Sequence, residues 1–120
     1  MNKKSDSPKA RIQSFSYAIR GVIALIRQEP NARIHTIATI VVIIAGFINQ
    51  LSTHEWIAIA FAIGIVWIAE ALNTTVEMLC DLYTNGAYNT KVKVIKDIAA
   101  AAVLISSLTS ITIGLLIFLN

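Results

Sequence analysis

The most constraining feature of this 120-residue chain is the placement of its charged side chains. Lysine, arginine, aspartate and glutamate are absent from residues 34–54, 56–69 and 98–120, and they make up only 14% of the sequence. An average soluble domain carries about 25% charged residues, so this chain has too few to cover a globular surface in water. The pattern indicates a lipid bilayer. It excludes a soluble enzyme, a secreted disulfide scaffold and a free nucleic-acid-binding protein as first interpretations.

Three apolar stretches are long enough to cross a membrane. A hydrocarbon core about 30 Å thick requires about 20 helical residues, and spans of about 34–51, 56–76 and 98–119 meet this length. Each span must be helical, because the bilayer offers backbone polar groups no other partner. We therefore predict an all-α integral membrane protein, with residues 1–120 forming a single domain.

A further helix is predicted over about residues 8–29, ahead of the first span. Six of its apolar residues fall on one face at helical spacing: Ile12, Phe15, Ile19, Val22, Ile23 and Ile26. This pattern fits an amphipathic helix on the membrane surface, and it also fits a helix that packs on its neighbours. Pro30 disfavours helical backbone at Glu29, so we expect the bend between this helix and the first span there.

The basic residues predict the orientation of the chain. Seven of the ten precede the first span, and the other three lie between the second and third spans. Short loops rich in lysine and arginine stay in the cytoplasm, and three spans put both basic segments on one side. We expect a cytoplasmic N-terminus and an outside C-terminus. The polar N-terminus predicts no cleaved signal peptide.

Polar residues form a stripe on the second predicted span. Glu70, Asn73, Glu77 and Asp81 share one face of a helix over ~16 Å of its axis. Each carboxylate at membrane depth costs about 2.5 kcal/mol or more, so the stripe is expected to bind a cation or face a polar cavity. For Glu77 and Asp81, pairing with nearby lysines is an alternative interpretation.

The stripe and its surroundings suggest a site for a metal ion and an anion. Glu29 and Glu77 are expected at the same depth, and Mg²⁺ is usually held by one or two carboxylates together with substrate phosphates. Lys96 and Asp97 open the third span. Lys96 either contacts a nucleotide or extends to the interface, and Asp97 either joins the site or caps the helix. Phosphoryl transfer to a membrane alcohol uses all of these parts.

The histidines and the soluble-kinase motifs give no further site. His35 and His54 are too far apart to share a metal ion, and we assign a role to neither. No glycine-rich phosphate loop is present, so a nucleotide site here differs from that of soluble kinases.

The sequence EALNTTVEMLCD at 70–81, followed by KDIAAAAV at 96–103, resembles the signature of the prokaryotic diacylglycerol kinase family. These are small integral-membrane lipid kinases, and the resemblance begins near Ser14 and continues through the third span. It implies a surface helix plus three membrane helices, assembled as a homotrimer with sites shared between subunits. It also implies the bacterial cytoplasmic (inner) membrane.

The same resemblance implies roles for individual residues. Glu70 corresponds to the catalytic base and Asn73 to a polar residue that supports it. Glu29 and Glu77 correspond to ligands of Mg²⁺ and ATP. The remaining nucleotide-contacting positions are Arg11, Tyr17, Tyr88, Lys96 and Asp97.

The resemblance leaves the lipid open. The family implies transfer of the γ-phosphate of Mg-ATP to diacylglycerol, which gives phosphatidic acid. The alternative acceptor is undecaprenol, which gives undecaprenyl phosphate, because RQEPNARIH at 27–35 is similar to the polyprenol-kinase branch. Two remoter hypotheses are a small transporter, whose site belongs near the midplane between repeats, and an assembly protein that uses polar residues to join helices.

Overall fold

A computed structural model describes residues 7–120, which form four helices: α1 (Pro8–Gln28), α2 (Pro30–Ile48), α3 (Thr53–Thr84) and α4 (Thr90–Phe118). These residues contain no strand. Helices α2, α3 and α4 are each long and apolar enough to cross a membrane, which confirms the predicted all-α architecture. Lys3 and Lys4, two of the basic residues used to predict orientation, lie outside the described residues.

The break between α1 and α2 occurs where the sequence predicts it. Glu29 adopts an extended conformation (φ −111°, ψ 114°) and Pro30 begins α2, because a residue that precedes proline avoids helical backbone. Arg33 then reaches back and donates hydrogen bonds to the carbonyl oxygens of Ile26 and Arg27. These bonds satisfy acceptors that the end of α1 would otherwise leave unpaired.

A short turn over residues 49–52 joins α2 to α3 and makes them antiparallel neighbours. Gln50 has a left-handed backbone (φ 51°), which reverses the chain. The Ser52 hydroxyl accepts a hydrogen bond from the Glu55 N–H at 3.3 Å, and the Glu55 carboxylate accepts one from the Ser52 N–H at 3.1 Å. This reciprocal cap starts α3 sharply.

The helices have different bounds from the predicted spans 34–51, 56–76 and 98–119. Helix α3 continues to Thr84, and α4 already begins at Thr90. The predicted spans are shorter because they include only the apolar stretches, whereas the helices continue through the polar residues next to them. The Asn89 side chain caps α4 by accepting hydrogen bonds from the N–H groups of Lys91 and Val92.

Helix α3 lies at the centre of the fold, with α2 and α4 on either side. In the most apolar 18-residue segment of α3, 39% of the residues are buried, compared with 11% in the corresponding segment of α2 and 6% in that of α4. The Ser110 hydroxyl of α4 donates a hydrogen bond to the Ala62 carbonyl oxygen of α3 at 2.7 Å. Most large apolar side chains of the three long helices point outward. Such extensive apolar exposure fits a bilayer rather than water.

Gly46 allows the closest approach of α2 to α3. A Cβ atom at this position would lie 2.5 Å from Cη2 of Trp56 and 3.1 Å from Cδ1 of Leu51. The Trp56 ring also packs against Phe47, with ring centroids 5.0 Å apart. A side chain at Gly46 would therefore displace a packed indole.

We predict that Gly46→Ala destabilises the fold by about 1–3 kcal/mol, since adding a methyl group to a well-packed contact forces side chains to shift. Gly64→Ala is the matched control, because a Cβ atom there meets nothing within 4 Å. The control should keep or raise stability by up to about 1 kcal/mol. Unfolding in detergent measures both changes, and equal stabilities for the two variants would contradict the packing argument.

Candidate active site

The polar stripe predicted from the sequence lies on one continuous helix, α3, and is graded in exposure. Glu70 is 0% exposed and Asn73 is 7% exposed. Glu77 is half-buried, and the Asp81 side chain is 61% exposed. The stripe therefore leads from the end of α3 into the interior of the helix bundle, where a carboxylate has no access to solvent.

Glu70 contacts a side chain to which the sequence analysis assigned no role. Its Oε2 atom lies 3.3 Å from Nε2 of His35 on α2. Its Oε1 atom is buried and has no hydrogen-bond partner among residues 7–120. The two oxygens of this carboxylate are therefore in different environments, one paired and one free.

Trp67 and Thr39 fix α2 against α3 one turn away from this pair. The Trp67 indole N–H donates to the Thr39 hydroxyl at 3.0 Å, and that hydroxyl donates to the His35 carbonyl oxygen at 2.6 Å. The rings of Trp67 and His35 also meet edge to face, with centroids 6.3 Å apart. The helix hairpin gives a partial signal of this proximity, because equal lengths counted from its turn place His35 opposite Val66, one helical turn before Glu70.

Buried polar atoms without partners cluster beside Glu70. Within residues 7–120, the buried side-chain atoms with no hydrogen bond are Glu70 Oε1, Asn73 Oδ1 and Thr74 Oγ1, all within about one turn of α3. A buried polar atom left unpaired costs about 1–3 kcal/mol, and most such groups in proteins have a partner. The cluster is therefore suited to a polar ligand or to polar groups of a second subunit.

Glu29 and Glu77 are the carboxylates that the sequence analysis assigned to a metal ion. Glu29 lies at the α1–α2 break and is half-buried, as Glu77 is. Counted along the antiparallel helices α2 and α3 from the His35–Glu70 contact, Glu29 and Glu77 lie at a similar depth. No group of three or more His, Cys, Asp or Glu side chains within residues 7–120 is arranged to hold a metal ion. Two carboxylates still suit Mg²⁺, whose other ligands are usually phosphates and water.

The lysines at the start of α4 are paired with carboxylates. Lys96 donates to Asp81 at 2.6 Å, which links α4 to the exposed end of the stripe, and Lys93 donates to Asp97 at 2.7 Å. Pairing of Asp81 with a nearby lysine was one of the interpretations left open by the sequence. Both pairs are largely exposed, so each contributes little to stability.

The other predicted nucleotide-contacting residues lie on the surface. Arg11, Tyr17 and Tyr88 are exposed, and no hydrogen bond or ion pair within residues 7–120 joins them to the stripe. Tyr17 instead lies beneath the guanidinium of Arg20, 5.8 Å from the ring centroid. The single chain therefore places Glu70, Asn73 and Glu77 on one face of α3 and Glu29 at a similar depth to Glu77, but it leaves the three surface residues apart from them.

An apolar groove between α2, α3 and α4 reaches His35, the partner of the buried carboxylate. Its volume is about 500 Å³, its floor is α3 from Ile59 to Trp67, and its walls come from α2 and the second half of α4. His35 lines one end and contacts Glu70. An apolar chain in this groove would place its polar end beside the His35–Glu70 pair.

Comparison with known proteins identifies the family. Residues 16–118 match the family described as prokaryotic diacylglycerol kinase. The chain belongs to this family. Its members are lipid kinases, so the chain is a membrane phosphotransferase rather than a transporter or an assembly protein.

Two relatives carry the names of different lipid kinases. An undecaprenol kinase of Bacillus subtilis is 41% identical over 89% of this chain and 86% of its own length. A diacylglycerol kinase of Synechocystis is 35% identical over 84% of this chain, which spans 58% of that relative's length. No solved structure matches the chain.

We predict that Trp67→Phe and Thr39→Val each destabilise the fold by about 0.5–1.5 kcal/mol, because each removes one interhelical hydrogen bond. The double variant should cost less than the sum of the two, since both changes remove the same bond. Unfolding of the four proteins in detergent gives the coupling energy. Strict additivity would show that this bond does not hold α2 to α3.

Proposed function

We propose that this protein transfers the γ-phosphoryl group of ATP to the hydroxyl group of a lipid alcohol at the cytoplasmic face of the bacterial inner membrane. The observation that carries the proposal is the state of Glu70. Its carboxylate is fully buried and has one oxygen paired and the other free, and its partner His35 lines an apolar groove. A lipid hydroxyl supplies the donor that the free oxygen lacks.

In the proposed reaction, Glu70 is the catalytic base. Its Oε1 atom accepts the proton as the O–H bond of the lipid alcohol breaks, and the lipid oxygen forms a bond to the γ-phosphorus. The bond from the γ-phosphorus to the bridging oxygen breaks, and ADP leaves with the electron pair. Asn73 lies one turn along the same face, and its side-chain amide orients the reacting groups. Such positioning lowers the activation barrier for phosphoryl transfer.

Glu29 and Glu77 would hold the Mg²⁺ that accompanies ATP. Their hard oxygen donors and their number fit an ion that completes its coordination with phosphate oxygens and water. When bound, the ion neutralises charge on the transferring phosphoryl group. Because Glu29 lies at the Pro30 break and Glu77 on α3, the two carboxylates approach the nucleotide from different helices.

The resemblance to the family supports nucleotide contacts from five further residues: Arg11, Tyr17, Tyr88, Lys96 and Asp97. Lys96 lies at the exposed end of the stripe, where a phosphate would compete with Asp81 for its ammonium group. The exposed positions of Arg11, Tyr17 and Tyr88 suit a site completed by a second subunit. We therefore include the homotrimer in the proposal, with each site shared between neighbouring subunits.

The proposal places residues 1–120 in one lipid-kinase domain with a cytoplasmic N-terminus and an outside C-terminus. Helix α1 has no buried residue, and its exposed apolar side chains, such as Ile12 and Phe15, suit a helix lying on the membrane surface. This position keeps the Pro30 break at the cytoplasmic interface, where ATP is available.

Undecaprenol is the lipid that we propose first. The sequence alone put diacylglycerol first, but the relative with 41% identity and nearly full coverage is named undecaprenol kinase. Diacylglycerol stays as the second candidate because the family carries that description and a relative with 35% identity is a diacylglycerol kinase. Both lipids end in one primary hydroxyl on long apolar chains, which the groove suits equally.

We predict that Glu70→Gln lowers kcat by at least about 10²-fold, since an amide cannot accept the proton, while binding of ATP stays intact. Glu55→Gln is the matched control, because Glu55 caps the far end of α3 and glutamine can also serve in that cap. Transfer of labelled phosphate from ATP to lipid in detergent micelles measures both. A Glu70→Gln rate within threefold of the parent would overturn the assignment of the base.

We also predict that activity requires Mg²⁺ and is greater with undecaprenol than with diacylglycerol. The assay compares kcat/KM for each lipid in matched micelles, with and without a chelator. Higher kcat/KM for diacylglycerol would reverse the order of the two acceptors. Transfer to neither lipid would overturn the proposed function.

A further inference from the structure

The structure places His35 where it can act on the reaction through Glu70. Its Nε2 atom lies 3.3 Å from Glu70 Oε2, its side chain is 17% exposed, and the carboxylate that it contacts is fully buried. A carboxylate can only accept hydrogen bonds, so a Glu70 that serves as a base requires the imidazole Nε2–H as the donor. This contact therefore fixes both the histidine tautomer and the orientation of the carboxylate.

We infer that His35 is a positioning residue for phosphoryl transfer: by donating to Oε2, it leaves Oε1 as the free oxygen that accepts the proton of the lipid hydroxyl. This inference rests on the proposed function of Glu70. The hydrogen bond also stabilises the ionised carboxylate in a setting where an unpaired charge is expensive. Without it, Glu70 can rotate, and both of its oxygens lack a partner.

The surroundings of His35 are built to keep the ring in place. The Trp67 ring packs edge to face against the imidazole, and the Thr39 hydroxyl bridges the Trp67 indole to the His35 carbonyl oxygen. The same ring lines the groove. His35 therefore contacts the base and also lines the space assigned to the lipid.

The test compares His35→Leu, which fills the space without a donor, with His35→Gln, whose amide N–H can replace Nε2–H. His35→Leu should lower kcat about 10- to 100-fold, as a misplaced reactive group does, and leave the KM for ATP within twofold. His35→Gln should recover most of the lost kcat. His54→Leu is the matched control, because His54 lies exposed in the first turn of α3, far from Glu70.

The double variant His35→Leu/Glu70→Gln shows whether His35 affects kcat through Glu70. If His35 acts through Glu70, the double variant should be no slower than Glu70→Gln alone, since residues that act as a unit are not additive. Unfolding in detergent and binding of a non-hydrolysable ATP analogue show that each variant is folded.

Three results would overturn the inference. They are a His35→Leu kcat within twofold of the parent, a His35→Gln variant as slow as His35→Leu, and a further loss in the double variant beyond Glu70→Gln. If Glu70→Gln is slow while His35→Leu is unchanged, the inference about His35 fails and the proposed base stands. If Glu70→Gln itself keeps its rate, the proposed function of Glu70 fails first.

Discussion

The structure depends on how an apolar helix bundle accommodates one buried carboxylate. Glu70 is 0% exposed on a helix whose neighbours are mostly apolar, and such a charge is costly unless it is paired. The protein supplies one partner, His35, from a different helix. His35 reaches Glu70 only when α2 lies against α3. The packing of these two helices therefore determines whether the buried carboxylate has its partner.

The break at Pro30 and the turn over residues 49–52 determine how the parts of the site are arranged. The Pro30 break puts Glu29 beside the start of α2, and the short turn over 49–52 returns the chain so that α3 runs antiparallel to α2. Gly46 lets the two helices approach next to that turn, and the Trp67–Thr39 bond holds them near the site. The turn and the two contacts set the depth at which Glu70 faces His35.

The sequence predicts the elements of this fold well and their side-chain contacts less well. Charge-free stretches predict the three apolar helices, Pro30 predicts the break, and the spacing of Glu70, Asn73 and Glu77 predicts a polar stripe, because each of these signals is local or periodic. The His35–Glu70 contact depends on the relative rotation and register of two helices, which no periodicity records. Spacing along the chain gave His35 no role, since its partner lies on another helix. The surface positions of residues such as Tyr17 and Tyr88 likewise depend on how the helices pack.

The exposure gradient along α3 suits the proposed reaction, in which one small site serves two substrates of opposite solubility. In the proposed reaction, an apolar lipid chain occupies the groove between the helices, and its hydroxyl lies at the buried end of the stripe, near His35 and Glu70. In the proposed reaction, a charged nucleotide, which is stable only near water, approaches the half-buried Glu77 and Lys96, beside the exposed Asp81. Glu70 and Glu77 are ~10 Å apart along the helix axis, with Asn73 between them. The proposal therefore places the reacting atoms of the two substrates near Asn73, where the unpaired side-chain atoms of α3 are concentrated.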